Sequence, residues 1–192
     1  MNASGEVRLV DQRDVQRRGG ACGRAPVSCL IHDILAEAGI DPRGLTVLDT
    51  TYGEGRFYIA WRPRLLIGVD IQVPRTGWIV KPDIFIPHNI FTIDRLLDAL
   101  PVPDIVVVDP PFGYWQRHRP HYHLFNYLAR DIIDKAAGIA REYGVPLLVH
   151  YRDIVELDGL TLVHGVRFIY VTRYLNNENL GKTTFFGLYR PG

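Results

Sequence analysis

With 192 residues, 47 % of them hydrophobic and 22 % charged, the chain can bury a sizeable core and has the composition of an ordinary globular domain. A formal net charge of +1 argues against a non-specific nucleic-acid coat. No apolar run approaches the roughly 20 residues a membrane span needs, and the N-terminus lacks the apolar segment of a secretory signal.

Residues 1 to 27 are polar, rich in Gly and Arg, and without clear period, so they are expected to form a loose arm. Arg13, Arg17, Arg18 and Arg24 lie in it as candidates for nucleic-acid contact. The cations as a whole are biased: only Lys81, Lys135 and Lys182 are lysines, and Arg suits phosphate contact and base stacking better. Cys22 and Cys29 have no metal-ligand or redox spacing, and two thiols point to a reducing cytoplasm. Ser28 is a plausible N-cap for a first helix with Leu30, Ile31, Ile34, Leu35 and Ala38 on one face, stopped at Gly39. A buried strand is predicted over Thr46 to Asp49. A Gly-containing turn and a helical stretch ending near Pro63 follow, then a second strand over Leu65 to Asp70. Asp83 to Ile86 reads as a weaker third strand. Thr92 could cap a helix bearing Ile93, Leu96, Leu97 and Leu100, and Asp104 to Val108 is the fourth strand. A long helix runs to Tyr143 and stops at Gly144. Pro146 to Tyr151 is the fifth strand, and Val166 to Thr172 and Thr183 to Tyr189 are two more. The alternation of buried strands and helices predicts an α/β fold of about seven strands, with a mostly parallel sheet covered on both faces. The last two strands, with no helix between them, should pair antiparallel at one end. A single domain is expected over residues 28 to 192.

Two segments carry chemistry. The first strand runs into Asp49-Thr50-Thr51-Tyr52-Gly53-Glu54-Gly55, where the glycines let the backbone approach a ligand. The second strand ends at Asp70, placed to accept both hydroxyls of a ribose. A dinucleotide would want G-x-G-x-x-G, but the third position here is Tyr58, and Asp49 would repel a pyrophosphate. The same acid welcomes the cationic methionine end of S-adenosylmethionine. A tight strand-to-helix turn in a fold without cofactor stays open at this point. The fourth strand ends in Asp109-Pro110-Pro111-Phe112, a rigid acceptor beside a flat apolar wall, which suits an exocyclic amine on a planar base. A strand-terminating turn is the plain alternative.

In this order and spacing the chain resembles the class I S-adenosylmethionine-dependent methyltransferases. More narrowly, it resembles the amino-methyltransferases with a D/N-P-P-Y/F motif, which act on exocyclic nitrogens of nucleobases or on glutamine in release factors. The resemblance covers roughly residues 28 to 190 and implies a Rossmann-like methyltransferase fold. It implies that Asp49, Thr50, Tyr52, Gly53 and Gly55 line the methionine part of the donor, that Asp70 holds its ribose, and that Ile71 and Asn89 flank its adenine. By the same resemblance Asp109 and the Pro110 carbonyl accept hydrogen bonds from the target amine, Pro111 stiffens the turn, and Phe112 stacks on the base. Two features depart from the family: little room for a helix between Asp70 and Asp83, and no separate target-recognition segment. The second shifts weight toward structured RNA, or toward a partner or second copy that supplies recognition.

On the substrate side, Tyr114, Trp115, Tyr122 and Phe125 mix with Arg117, Arg119, His118, His121 and His123 directly after the motif, offering stacking faces and phosphate contacts. Core packing is the alternative, and two histidines two apart make a poor metal site. His150 and Arg152 end the fifth strand, and Tyr174, Asn176 and Asn177 follow the sixth, all on the same sheet edge. The resulting expectation is methyl transfer to an exocyclic amino nitrogen of a nucleobase in RNA. DNA adenine or cytosine, a protein or small-molecule acceptor, and a catalytically silent subunit remain as alternatives.

Overall fold

The computed structural model describes residues 7–75, 77–111, 128–170 and 182–192. Its centre is one eight-stranded sheet in the order β4-β3-β2-β5-β6-β8-β7-β1. These strands are β1 (Val7–Asp11), β2 (Thr46–Asp49), β3 (Leu65–Asp70), β4 (Ile84–Pro87), β5 (Ile105–Val108), β6 (Leu147–Tyr151), β7 (Leu160–Tyr170) and β8 (Lys182–Pro191). Every pairing is parallel except the two made by β8, which runs antiparallel between β6 and β7. The expected antiparallel pair is therefore present toward one end, and the α/β fold with a mostly parallel sheet stands.

Helix α3 (Pro26–Glu37) covers one face of the sheet and α5 (Ala129–Tyr143) covers the other. Strand residues alternate between the two with period two. Val47, Leu66, Ile105, Val107 and Leu148 pack toward α3, while Leu48, Ile67, Val106, Val108 and Val149 pack toward α5. This two-sided burial is why the central strands read as unbroken apolar runs. Helix α3 presents Leu30, Ile31, Ile34 and Leu35, all essentially inaccessible, and ends where Gly39 takes a φ of 75° and Ile40 N–H returns to the Leu35 carbonyl. Helix α5 ends the same way at Gly144, φ 66°.

Several expectations change. Residues 7 to 27 are not a loose arm: β1 adds to the sheet beside β7, and α1 (Gln12–Gln16) and α2 (Gly20–Arg24) fold back onto α3. The polar composition that read as disorder reflects an edge strand and two one-turn helices with one buried side chain, Val15. Packing α2 on the first turn of α3 brings Cys22 and Cys29 within 5.4 Å at Cα, and they are joined as a disulfide. The inference of a reducing compartment, which rested on two free thiols, loses that support. Helix α3 starts at Pro26, not at a Ser28 cap; Ser28 is buried inside it. After β2 there is no α-helix but one 3-10 turn, Arg56–Tyr58. After β4 a 3-10 turn capped by Asn89 precedes the four-residue α4 (Asp94–Leu97). Among the described residues no helix is long and apolar enough to cross a membrane.

Candidate functional site

Following the two-residue alternation to the strand ends, and one residue past the end of β5, puts Asp49 two beyond Val47, Asp70 four beyond Leu66, Asp109 two beyond Val107 and His150 two beyond Leu148. All four therefore belong to the α3 side of the sheet, on the carboxyl edge of neighbouring parallel strands β3, β2, β5 and β6. In open α/β sheets that edge is where ligands bind.

Asp49 is 2 % exposed. Its Oδ2 accepts from the Tyr58 hydroxyl at 2.8 Å and its Oδ1 from the Thr51 amide at 3.0 Å. Burial pushes its carboxyl up to about 7, against the pull of these two donors, and the nearby charges of Asp109 and Asp70 push the same way. Asp70 is also raised, chiefly by burial. Its Oδ2 accepts from the Gly53 amide at 2.9 Å and its Oδ1 from the Gln72 amide at 3.3 Å. Three neighbouring acids thus meet on one edge, and the most buried of them is held partly uncharged near neutral pH.

The turn after β2 is built around Tyr52. Its ring lies so close over Gly68 that a Cβ there would sit 2.6 Å from the ring, and its hydroxyl donates to the Val80 carbonyl at 2.6 Å. It stacks on Tyr58, which meets Trp61 edge-on. The Tyr52 side chain, expected to line a ligand, is thus buried and props up the turn. Gly53 and Gly55 both have positive φ, 56° and 78°; Gly53 has open space where a Cβ would stand, whereas Gly55, expected to line a ligand, is buried against the Tyr52 side chain and the Val80 carbonyl. Thr50 is likewise turned inward, its hydroxyl donating to the Val107 carbonyl at 3.0 Å. Its neighbour Thr51, which sequence reading passed over, ties the two motifs together, because the Asp109 amide donates to its hydroxyl oxygen at 2.6 Å. Ser28 pins the far end of the turn, donating to the Phe57 carbonyl at 2.7 Å and accepting from the Ala60 amide at 2.8 Å.

Ile71 is half exposed at the end of β3. Asn89 is exposed, with its side-chain oxygen capping the Phe91 amide at 3.0 Å. Pro110 is buried and Pro111 half-buried beyond Asp109. His150, expected to touch substrate, instead faces inward: its Nδ1 is 2.8 Å from Asp109 Oδ1 and its Nε2 is 3.1 Å from Thr184 Oγ1. Arg152 is exposed, its guanidinium 5.4 Å from the Tyr151 ring centre. Arg13, Arg17 and Arg18, expected as nucleic-acid contacts, form surface ion pairs with Asp11, Asp14 and Asp33. Phe112, Tyr114, Trp115, Arg117, Arg119, His118, His121, His123, Tyr174, Asn176 and Asn177 lie outside the described residues. Among the described residues no three His, Cys, Asp or Glu side chains are grouped to hold a metal.

By sequence, no protein family and no curated protein matches the chain. By structure, the chain is similar to magnesium protoporphyrin IX methyltransferase from Synechocystis PCC 6803 with bound SAM, at 13 % identity and a TM-score of 0.50, covering 94 % of this chain and 84 % of that one. It is also similar to 1,6-didemethyltoxoflavin-N1-methyltransferase from Burkholderia thailandensis, solved with 1,6-didemethyltoxoflavin and S-adenosylhomocysteine, at 15 % identity and a TM-score of 0.49 over 93 % and 81 % of the two chains. An rRNA methylase from Streptococcus thermophilus aligns at 17 % identity and a TM-score of 0.42 over 86 % and 96 %. The first of these likenesses is one of fold, and the fold is the Rossmann-like one of a methyltransferase.

Proposed function

We propose that the protein transfers a methyl group from S-adenosylmethionine to an exocyclic amino nitrogen of a nucleobase, with structured RNA as the substrate. The observation that carries this reading is the meeting of Asp49, Asp70 and Asp109 on one sheet edge around the turn that carries the open Gly53.

The residues fit such a donor. Asp49 is held partly uncharged by burial and by two neighbouring carboxylates, so a cation at this edge relieves the repulsion and favours its ionised form. With both oxygens already bonded, Asp49 acts on a ligand through charge rather than direct contact. Gly53 gives the methionine part close access to backbone, while Asp70 keeps lone pairs for ribose hydroxyls. Ile71 offers an exposed apolar flank to the adenine. Bound there, S-adenosylmethionine supplies an electrophilic methyl group, its sulfur retaining the S–C bonding pair as a neutral thioether.

The chain's own residues handle the acceptor. A base amine is a weak nucleophile because its lone pair is delocalised into the ring. Asp109 and the Pro110 carbonyl accept its two hydrogens, which favours a pyramidal nitrogen with its lone pair aimed at the methyl. Asp109 then takes the proton that the methylated nitrogen sheds. Phe112 forms the stacking wall. Thr51 fixes the distance between the donor turn and the acceptor turn through its contact with the Asp109 amide.

The test is transfer of labelled methyl from S-adenosylmethionine to total RNA and to genomic DNA, both from cells lacking the protein, with Asp109→Ala alongside. Label in RNA that Asp109→Ala abolishes, with donor binding retained, is the expected result. Label confined to DNA replaces RNA as the substrate, and label in neither, with the donor bound, refutes the nucleobase reading.

A further inference from the structure

We propose that His150 is a positioning residue for Asp109: it commits one carboxylate oxygen and leaves the other, with the Pro110 carbonyl, as a two-acceptor site matched to the two hydrogens of a primary amine. The proposal rests on the reading above and deepens it.

The geometry begins with the sheet. Val108 and Val149 are register partners on β5 and β6, so the next residues, Asp109 just past the end of β5 and His150 within β6, stand side by side. His150 is also the register partner of Phe186 on β8, and the two rings stack flat, centroids 4.1 Å apart and planes 7° apart. Phe57 closes from another side, edge-on at 5.7 Å. The imidazole is thus held in one plane by aromatic contacts on separate elements, and its side chain is 10 % exposed while that of Asp109 is 36 % exposed. The carboxylate faces ligand space and the imidazole stands behind it.

The carboxylate also sets the direction of the two hydrogen bonds through His150 to Asp109 and Thr184. An ionised carboxylate only accepts, so His150 donates from Nδ1 to Asp109 Oδ1. A neutral imidazole carrying its proton on Nδ1 accepts at Nε2, so the Thr184 hydroxyl donates there. Thr184, His150 and Asp109 form one line of hydrogen bonds ending on Oδ1. With that oxygen held, the Asp109 carboxylate cannot rotate freely, and Oδ2 is presented in a constant direction. This is the preorganisation that in-line transfer to a poorly nucleophilic amine requires.

Two substitutions separate this role from packing. His150→Phe keeps the stack on Phe186 and removes the hydrogen bonds to Asp109 and Thr184, and His150→Asn puts an amide N–H near the place of Nδ1. On total RNA, His150→Phe should lower kcat about 10- to 100-fold, the penalty for a misplaced reacting group, with donor affinity unchanged. His150→Asn should recover most of the loss. Nitrogen-15 NMR of the imidazole gives a readout independent of turnover: the ring should carry its proton on Nδ1 in the wild type and revert to Nε2–H in Asp109→Ala. An Nε2–H ring in the wild type, full activity in His150→Phe, or no advantage of His150→Asn over His150→Phe would overturn the proposal. If the wild type labels neither RNA nor DNA, the nucleobase reading falls, and the tautomer still decides whether His150 commits Asp109.

Discussion

Asp49→Asn tests the electrostatics of the site without reference to any ligand. The Asp49 carboxyl lies at about 7 in the folded chain against 3.8 in an exposed one. A raised folded value means that the native state holds the proton more tightly than the unfolded chain, so stability is greatest below about pH 4 and is lost as pH rises through about 7. A gap of about three pH units corresponds to roughly 4 kcal/mol over the whole window, of which about 2.5 kcal/mol falls between pH 5 and pH 8. Asparagine is isosteric and neutral: its oxygen can accept from the Thr51 amide and its amide can donate to the Tyr58 hydroxyl. Urea unfolding of both proteins from pH 5 to pH 8 should therefore show the variant gaining on the wild type by about 2.5 kcal/mol as pH rises. Parallel curves would mean that Asp49 is ionised throughout, by solvent or by a cation that compensates its burial, and would remove the argument that this edge awaits a positive ligand.

The same linkage predicts that S-adenosylmethionine binds more tightly as pH rises from 6 to 8 and releases protons on binding below pH 7, which calorimetry in buffers of different ionisation enthalpy would detect; proton uptake would contradict it. Gly68→Ala should destabilise by about 1–3 kcal/mol, because its methyl meets the Tyr52 ring at 2.6 Å, and thermal unfolding unchanged from wild type would show that the ring yields freely. Thr51→Val should leave the Asp109 amide without its acceptor, cost roughly 1–3 kcal/mol, and lower methyl transfer more than donor affinity; equal losses in both would disconnect the two turns.

Much of the sheet was legible because its central strands are buried on both faces. Thr46–Asp49 and Leu65–Asp70 are apolar runs that end in acids, and nothing but a buried strand ending at a sheet edge accounts for them. The stop of α5 at Gly144 was equally plain, since only a left-handed cap explains a glycine there. The stretch after Asp49 misled because Arg56 to Ala60 has helical composition. The chain instead spends those residues packing Tyr58 on Tyr52 and Asp49 and tying Phe57 and Ala60 to Ser28. Residues 7 to 27 misled in the opposite sense, because an edge strand and one-turn helices bury too little to leave a periodic pattern.

The amino-acid order by itself determined which strand ends carry Asp49, Asp70 and Asp109, because period-two alternation and unbroken apolar runs are local properties. Only the tertiary structure decided what each acid meets. The bond from His150 to Asp109 spans 41 residues, that from Thr51 to the Asp109 amide spans 58, and the disulfide depends on how α2 seats against α3. Those contacts follow from strand order and register, which arise when the whole sheet closes and which no stretch of sequence encodes alone.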